Sequence, residues 1–176
     1  MSEFVCERLS DTHDLDKFDC GNEVLTRWLK NSAIRGQVQD TGRAFVWRPE
    51  MGDRHFDADQ ALGYFTLAAH TIQRSDLDDA LSRTKLRSLP SVLPAILLAK
   101  LALDVRLRGR GLGGALLASA LQRCVLAGEL VAARFVVVDA IDDAALGFYA
   151  HYDFRRIPGT DRLVRPLRGI TDELSG

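Results

Sequence analysis

Between Asn22 and Ile34 the apolar residues Val24, Leu25, Trp28 and Leu29 return at three- and four-residue steps, and Ile34 is read as continuing the stripe. This spacing predicts an amphipathic helix, capped by Asn22, whose other face carries Arg27, Lys30 and Arg35 into solvent. Before it, Phe4 to Leu9 alternates loosely, as a first strand does, and an acidic loop follows through Asp11, Asp14 and Asp16. After it, Arg43 to Arg48 and Ala61 to Ile72 are rich in β-branched and aromatic residues. The polar stretch between them reads as a loose hairpin connection, so they are expected to be antiparallel neighbours. The charged segment Ser75 to Ser88 reads as a short helix with a mobile loop, ended by Pro90 and Pro94.

A strand is expected over Ala95 to Val105. A helix is expected over Leu112 to Ala127, burying Leu116, Leu117, Ala120, Leu121 and Cys124 and stopping at Gly128. Phe135 to Val138 is a continuous apolar run, the pattern of a strand covered on both faces. Asp142 then caps a short helix through Phe148 and Tyr149, and Arg155 to Leu167 supplies one or two closing strands. The order of elements is that of an α+β sandwich on a mixed sheet. With 176 residues, 47% of them apolar, and no repeat or linker, one domain over residues 1–176 is expected.

Charge sharpens the picture. The net charge of −1 argues against a globally basic nucleic-acid binder. Yet from Arg83 to Arg110 the charged residues are Arg83, Lys85, Arg87, Lys100, Arg106, Arg108 and Arg110, against Asp104 alone. Cys6, Cys20 and Cys124 are odd in number and widely spaced, which suggests neither a disulfide framework nor a zinc site. No signal peptide is visible, and the run Leu93 to Leu103 is too short to span a bilayer and is interrupted by Lys100. A cytoplasmic protein without a membrane partner is the expectation.

The chemistry concentrates at Arg108-Gly109-Arg110-Gly111-Leu112-Gly113-Gly114, a turn between a strand and a helix. Such a turn presents successive backbone N–H groups and a positive helix end to an anion. The glycines keep side chains away from phosphates and allow positive φ, and Arg108 and Arg110 add charge at its mouth. A glycine-rich connection with no ligand is the plainer alternative, but so many glycines and arginines together are costly as loop chemistry. Gly109, Gly111 and Gly114 also read as a dinucleotide fingerprint, with Asp139 ending the next strand. The motif falls after more than half the chain, with too little sequence left for a doubly wound sheet. A P-loop lacks its terminal Gly-Lys-Ser/Thr.

The turn matches the R/Q-x-x-G-x-G/A motif of the GNAT superfamily of N-acetyltransferases. Leu101 to Val105 before it and Ala145-Leu146-Gly147-Phe148-Tyr149 after it resemble the rest of that family's core. Three further stretches resemble the GNAT toxins of bacterial toxin-antitoxin modules, which acetylate the α-amine of aminoacyl-tRNA. They are Phe18-Asp19-Cys20-Gly21-Asn22 with Leu25 and Trp28-Leu29, Gly63 to Ala68, and Pro94 to Asp104. The likeness implies an α+β fold with a mixed, mostly antiparallel central sheet flanked by helices and splayed between the fourth and fifth strands. This chain departs from the family at Asp153, where a glycine is common, and at the arginine-bearing stretch Arg162, Arg165 and Arg168.

The resemblance implies roles as well. Tyr149 becomes the general acid for the departing thiolate, although a packing tyrosine beside Phe148 is the simpler reading. Leu101, Ala102, Leu103, Arg108, Gly109, Arg110, Gly111, Leu112, Gly113, Gly114, Asp142 and Phe148 become acetyl-CoA contacts, and capping alone also explains Asp142. No metal is implied. Asp104 is a candidate base by position, with a solvated or turn-forming role as the alternative. An α-amine, with a pKa of about 7.7 to 8.0, is already partly neutral and needs no base.

For an RNA acceptor, Lys30, Arg35, Arg74, Arg83, Lys85 and Arg87 are the candidate contacts, against the plainer reading of a solvated loop. His13, His55, His70 and His151 form no ligand set. The leading expectation is an aminoacyl-tRNA acetylating toxin with a small DNA-binding antitoxin as partner, possible as a homodimer. The alternatives are an acetyltransferase for a small amine, amino acid or protein N-terminus, and a non-catalytic acyl-CoA-binding regulator.

Overall fold

The computed structural model describes residues 4–77 and 86–176. Its strands are β1 Phe4–Arg8, β2 Arg43–Pro49, β3 Gly63–Gln73, β4 Val92–Leu103, β5 Phe135–Asp139, β6 Arg155–Arg156 and β7 Arg162–Pro166. Its helices are α1 Glu23–Asn31, α2 Ala33–Val38, α3 Leu112–Leu130, α4 Asp143–His151 and α5 Leu167–Ser175. The strands form one sheet in the order β1-β2-β3-β4-β5-β7-β6. Four ladders, β1–β2, β2–β3, β5–β7 and β6–β7, are antiparallel. The β4–β5 ladder is parallel and ends at Leu97 opposite Val137, although β4 runs on to Leu103 and β5 to Asp139. This is the expected splay between the fourth and fifth strands.

Contacts group the chain into two compact units, Met1–Ala68 with Ala99–Ala120, and Ala69–Leu98 with Leu121–Gly176. In the first unit, Phe18, Leu29, Ala33, Val46, Tyr64 and Ala102 are buried together. Phe4 stacks on Trp47 at 5.0 Å, and the Trp47 indole N–H donates to the Ser119 hydroxyl at 3.1 Å, fixing the first half of α3. Asn22 caps α1 as expected, its side-chain oxygen accepting from the Leu25 N–H at 3.1 Å. The helical stripe breaks at Ser32, however, between α1 and α2. Ala33, four residues after Leu29, continues the buried face in place of Ile34, and Val24, in the first turn of α1, is 75% exposed. Full burial of Leu29 contributes about 1.5 to 3 kcal/mol.

In the second unit, Ile72, Leu77, Leu93, Phe135, Val137, Ile157 and Val164 form the core. Gly128 does not stop α3, which continues to Leu130. A Cβ there would lie 2.5 Å from Leu167 Cδ2, so the glycine lets the start of α5 approach α3 closely. That C-terminal helix was not foreseen, and it buries Leu167 and Ile170. β7 accommodates its arginines by pairing them: Arg162 holds Asp139 across the ladder at 2.7 and 2.9 Å, and buried Arg165 reaches Glu173. Among the described residues no helix is long and apolar enough to cross a membrane.

Candidate active site

In the first unit, β4 ends at a corner built on Asp104. Its fully buried carboxylate accepts from the Arg106 backbone N–H at 2.9 Å, from the Asp19 N–H at 3.2 Å and from the Arg106 guanidinium at 2.8 and 2.9 Å. Burial alone would raise its pKa. The Arg106 side chain, the Arg106 N–H and the Asp19 N–H outweigh that, and together they hold the group below the usual carboxylate range. Asp104 is neither solvated nor poised as a base. It is a structural anion that turns the chain.

One 3-10 turn, Val105–Leu107, follows the corner. Gly109 at φ 72° and Gly111 at φ 71° then carry the chain through the left-handed region. A Cβ at either position would meet no heavy atom within 4 Å, so glycine is there for the backbone, and the peptide surface is left open. Gly113 and Gly114 lie in the first turn of α3 without positive φ, so two of the four glycines carry the conformational requirement. An open backbone running into the N-terminus of a 19-residue helix fits a pyrophosphate. Arg110 is exposed beside it. Arg108 donates through Nη2 to the Cys20 carbonyl. On β4, Ala102 is buried while Leu101 and Leu103 are half-buried.

In the second unit, Asp142 caps α4, its carboxylate accepting from the Ala145 N–H at 2.7 Å. Near the other end of α4 lies Tyr149, 8% exposed, with Phe148 edge-on at 5.2 Å and Phe154 at 5.5 Å. The helix stops in a Schellman arrangement. The Phe154 N–H reaches the Tyr149 carbonyl at 3.1 Å and the Asp153 N–H reaches that of Ala150 at 3.2 Å. Asp153 takes the left-handed conformation at φ 65°, where a glycine would be expected, and so keeps the turn. The ring contact between Phe154 and Tyr149 is the hydrophobic clasp of this motif. Burial pushes the Tyr149 phenol up to about 12. Asp139 is engaged by Arg162, which lowers its pKa and leaves it in no position to serve as the ribose-binding acid of a dinucleotide fold.

The residues expected to meet RNA fall as follows. In the first unit, Lys30 is exposed but donates to the Asp16 carbonyl at 2.8 Å, and Arg35 is exposed on α2. In the second, Arg74 is tied to the Leu89 carbonyl and Arg87 is exposed. Arg83 and Lys85 lie outside the described residues. The sequence marks Lys100 only as a charge within the basic stretch; its ammonium stands 4.1 Å from the centre of the Trp28 ring, and burial lowers its pKa. Trp28 in turn stacks on Tyr64 at 6.1 Å. A lysine interrupting an apolar strand was the available signal. His13 is buried and bonded to Glu7 at 2.9 Å and to the Ser10 N–H, and His70 meets Arg162 at 3.1 Å. Among the described residues no cluster of His, Cys, Asp or Glu is arranged to hold a metal ion.

A mixed sheet splayed after Leu97, a positive-φ glycine turn running from its fourth strand into a helix, and a buried tyrosine on a later helix define an acetyl-CoA-dependent N-acetyltransferase of the GNAT class. No family model matches the chain. The chain is 35% identical over 156 residues to the tRNA-acetylating toxin of Mycobacterium tuberculosis strain H37Rv, covering 89% of this chain and 86% of the relative. It therefore belongs to the family of tRNA-acetylating toxins. Among solved structures it resembles the toxin AtaT complexed with acetyl-methionyl-tRNAfMet, with a TM-score of 0.84, 28% identity, and 97% of this chain and 99% of that one covered. It also resembles a tyrosine-to-phenylalanine mutant of AtaT bound to acetyl-CoA and the C-terminus of the antitoxin AtaR. There the TM-score is 0.78 at 25% identity, covering 99% of this chain and 100% of that one.

Proposed function

We propose that this chain is a cytoplasmic toxin that moves the acetyl group of acetyl-CoA onto the α-amine of an aminoacyl-tRNA, and that a small DNA-binding antitoxin restrains it. The turn carries the cofactor part of this reading: two open glycines at positive φ lead into a helix N-terminus. The acceptor part rests on the likeness to the M. tuberculosis toxin and to tRNA-bound AtaT.

When bound, acetyl-CoA supplies an activated acetyl thioester. The backbone N–H groups from Gly109 to Gly114 hold its pyrophosphate, with Arg110 adding charge. The half-buried stretch Leu101 to Leu103 offers backbone groups to the pantetheine arm, and Asp142 and Phe148 lie at the start and middle of the helix that carries the acid. Tyr149 holds a proton at its phenol oxygen for the departing sulfur. With the phenol pushed up to about 12, that proton stays in place well above the pH of about 8 at which an α-amine becomes neutral. No general base is required of Asp104, which is saturated by its own partners. Exposed Lys30, Arg35 and Arg87 are the described cations offered to RNA phosphates.

Cell-free translation with the purified chain tests the reading. Translation is expected to stop only when acetyl-CoA is added, with N-acetylated aminoacyl-tRNA recovered by mass analysis. Normal translation with unmodified aminoacyl-tRNA contradicts it.

A further inference from the structure

The segment Asp19-Cys20-Gly21-Asn22 is bound to the glycine turn by contacts that span most of the first unit's sequence. The Val105 N–H donates to the Asp19 carbonyl at 2.8 Å, and the Asp19 N–H donates to Asp104 at 3.2 Å. The Arg108 guanidinium donates to the Cys20 carbonyl, 88 residues away in sequence. Gly21 completes the fit. It sits at φ 76°, its N–H donates to the Asp19 carboxylate at 2.8 Å, and a Cβ there would lie 2.6 Å from Arg108 Nη2 and 3.1 Å from Nη1. A Cβ at this position would push the guanidinium aside. The next residue, Asn22, caps α1, the helix that carries Trp28 and Lys30.

We propose that Arg108 is a positioning residue, not a phosphate ligand: its guanidinium holds the Cys20 carbonyl and thereby sets the conformation of the Gly109–Gly111 turn. One residue before Gly109, it fixes the point from which the chain enters its left-handed stretch. A planar guanidinium suits this task better than an ammonium, because its donors are held in a fixed geometry. The same clamp ties the acetyl-CoA turn to the start of α1, so the turn and that helix move as one piece.

The inference rests on acetyl-CoA binding at the turn, and the test separates the two. Acetyl-CoA affinity is measured by calorimetry for the wild type, Arg108→Gln, Arg108→Lys, Gly21→Ala and the double variant Arg108→Gln/Gly21→Ala. Gly21→Ala keeps the arginine's charge but displaces its guanidinium. The expected result is a loss of about tenfold in affinity for each single variant, lysine included, with no further loss in the double variant. The salt dependence of binding is expected to be unchanged in Arg108→Gln.

Full retention by Arg108→Lys, losses that multiply in the double variant, or a weakened salt dependence would each show a direct phosphate contact and overturn the proposal. Should Arg108→Gln or Gly21→Ala not fold, Asp19→Ala removes the carboxylate that holds the Gly21 N–H, and unchanged acetyl-CoA affinity there overturns the proposal equally. If the wild type binds no acetyl-CoA, the functional reading fails before the clamp is tested.

Discussion

The glycine turn of the first unit and the Tyr149 helix of the second are both held rigidly, but the turn hangs on a buried anion and charged hydrogen bonds, while the tyrosine sits among rings. At the turn, Asp104 gathers four donor contacts and Arg108 clamps a distant carbonyl. At the tyrosine, Phe148 and Phe154 pack edge-on, and backbone hydrogen bonds close the end of the helix. The difference follows from the tasks proposed for them. A turn that must offer bare N–H groups cannot cover itself with side chains, so its shape has to be set from behind by polar bonds. A phenol that must keep its proton needs the opposite, an apolar wall that makes its anion costly.

The largest effect is expected at the tyrosine. Tyr149→Phe removes one oxygen and leaves the ring contacts, so kcat should fall about a hundred- to thousandfold with the melting temperature nearly unchanged. Single-turnover acetylation and a thermal melt measure the two. A loss of stability comparable to the loss of rate would return Tyr149 to a packing role.

Asp104→Ala breaks the other side of the comparison. It strips buried donors of their acceptor and should destabilise the protein by about 3 kcal/mol in urea unfolding. Because the folded carboxyl lies below its ordinary value, its contribution is complete above the ordinary carboxylate pKa. It is lost as pH falls through the lower folded value. The melting temperature of the wild type should therefore drop more on acidification than that of Asp104→Ala.

The pH profile sharpens the tyrosine half. Activity should rise roughly tenfold per unit below the acceptor's pKa of about 7.7 to 8.0 as the amine loses its proton. It should show no falling limb from the phenol until pH approaches about 12. A falling limb near 10, with the protein still folded, would mean that burial does not raise the phenol.

The smallest effect is expected at the helix end. Asp153→Gly relieves a left-handed residue at φ 65° and should stabilise the protein by about 0.5 to 1 kcal/mol in urea unfolding, without changing kcat.

These two regions were unequally legible in the sequence. The turn announced itself because glycine spacing between a strand and a helix is local, and the Asn22 cap followed from the same kind of signal, whereas the splay came only from the resemblance to the acetyltransferase family. Asp153 was readable as a left-handed residue because aspartate tolerates that conformation. What escaped were pairings between distant positions. The partner of Arg108 lies 88 residues away, and the closeness of Leu167 to Gly128 gave a glycine in the last turn of α3 the look of a stop. The helical stripe through Val24 and Ile34 misled for another reason: Val24 sits in the exposed first turn of α1, and Ile34, five residues after Leu29, falls off the face that Leu29 and Ala33 share.

One competition in a single tube tests the central claim most directly. The purified chain is given acetyl-CoA, a pool of aminoacyl-tRNAs, the free amino acids and a polyamine, and every amine is then analysed by mass. The account requires acetyl groups on the α-amines of aminoacyl-tRNA and almost none on the small amines. Acetylated small amines beside untouched aminoacyl-tRNA would contradict it.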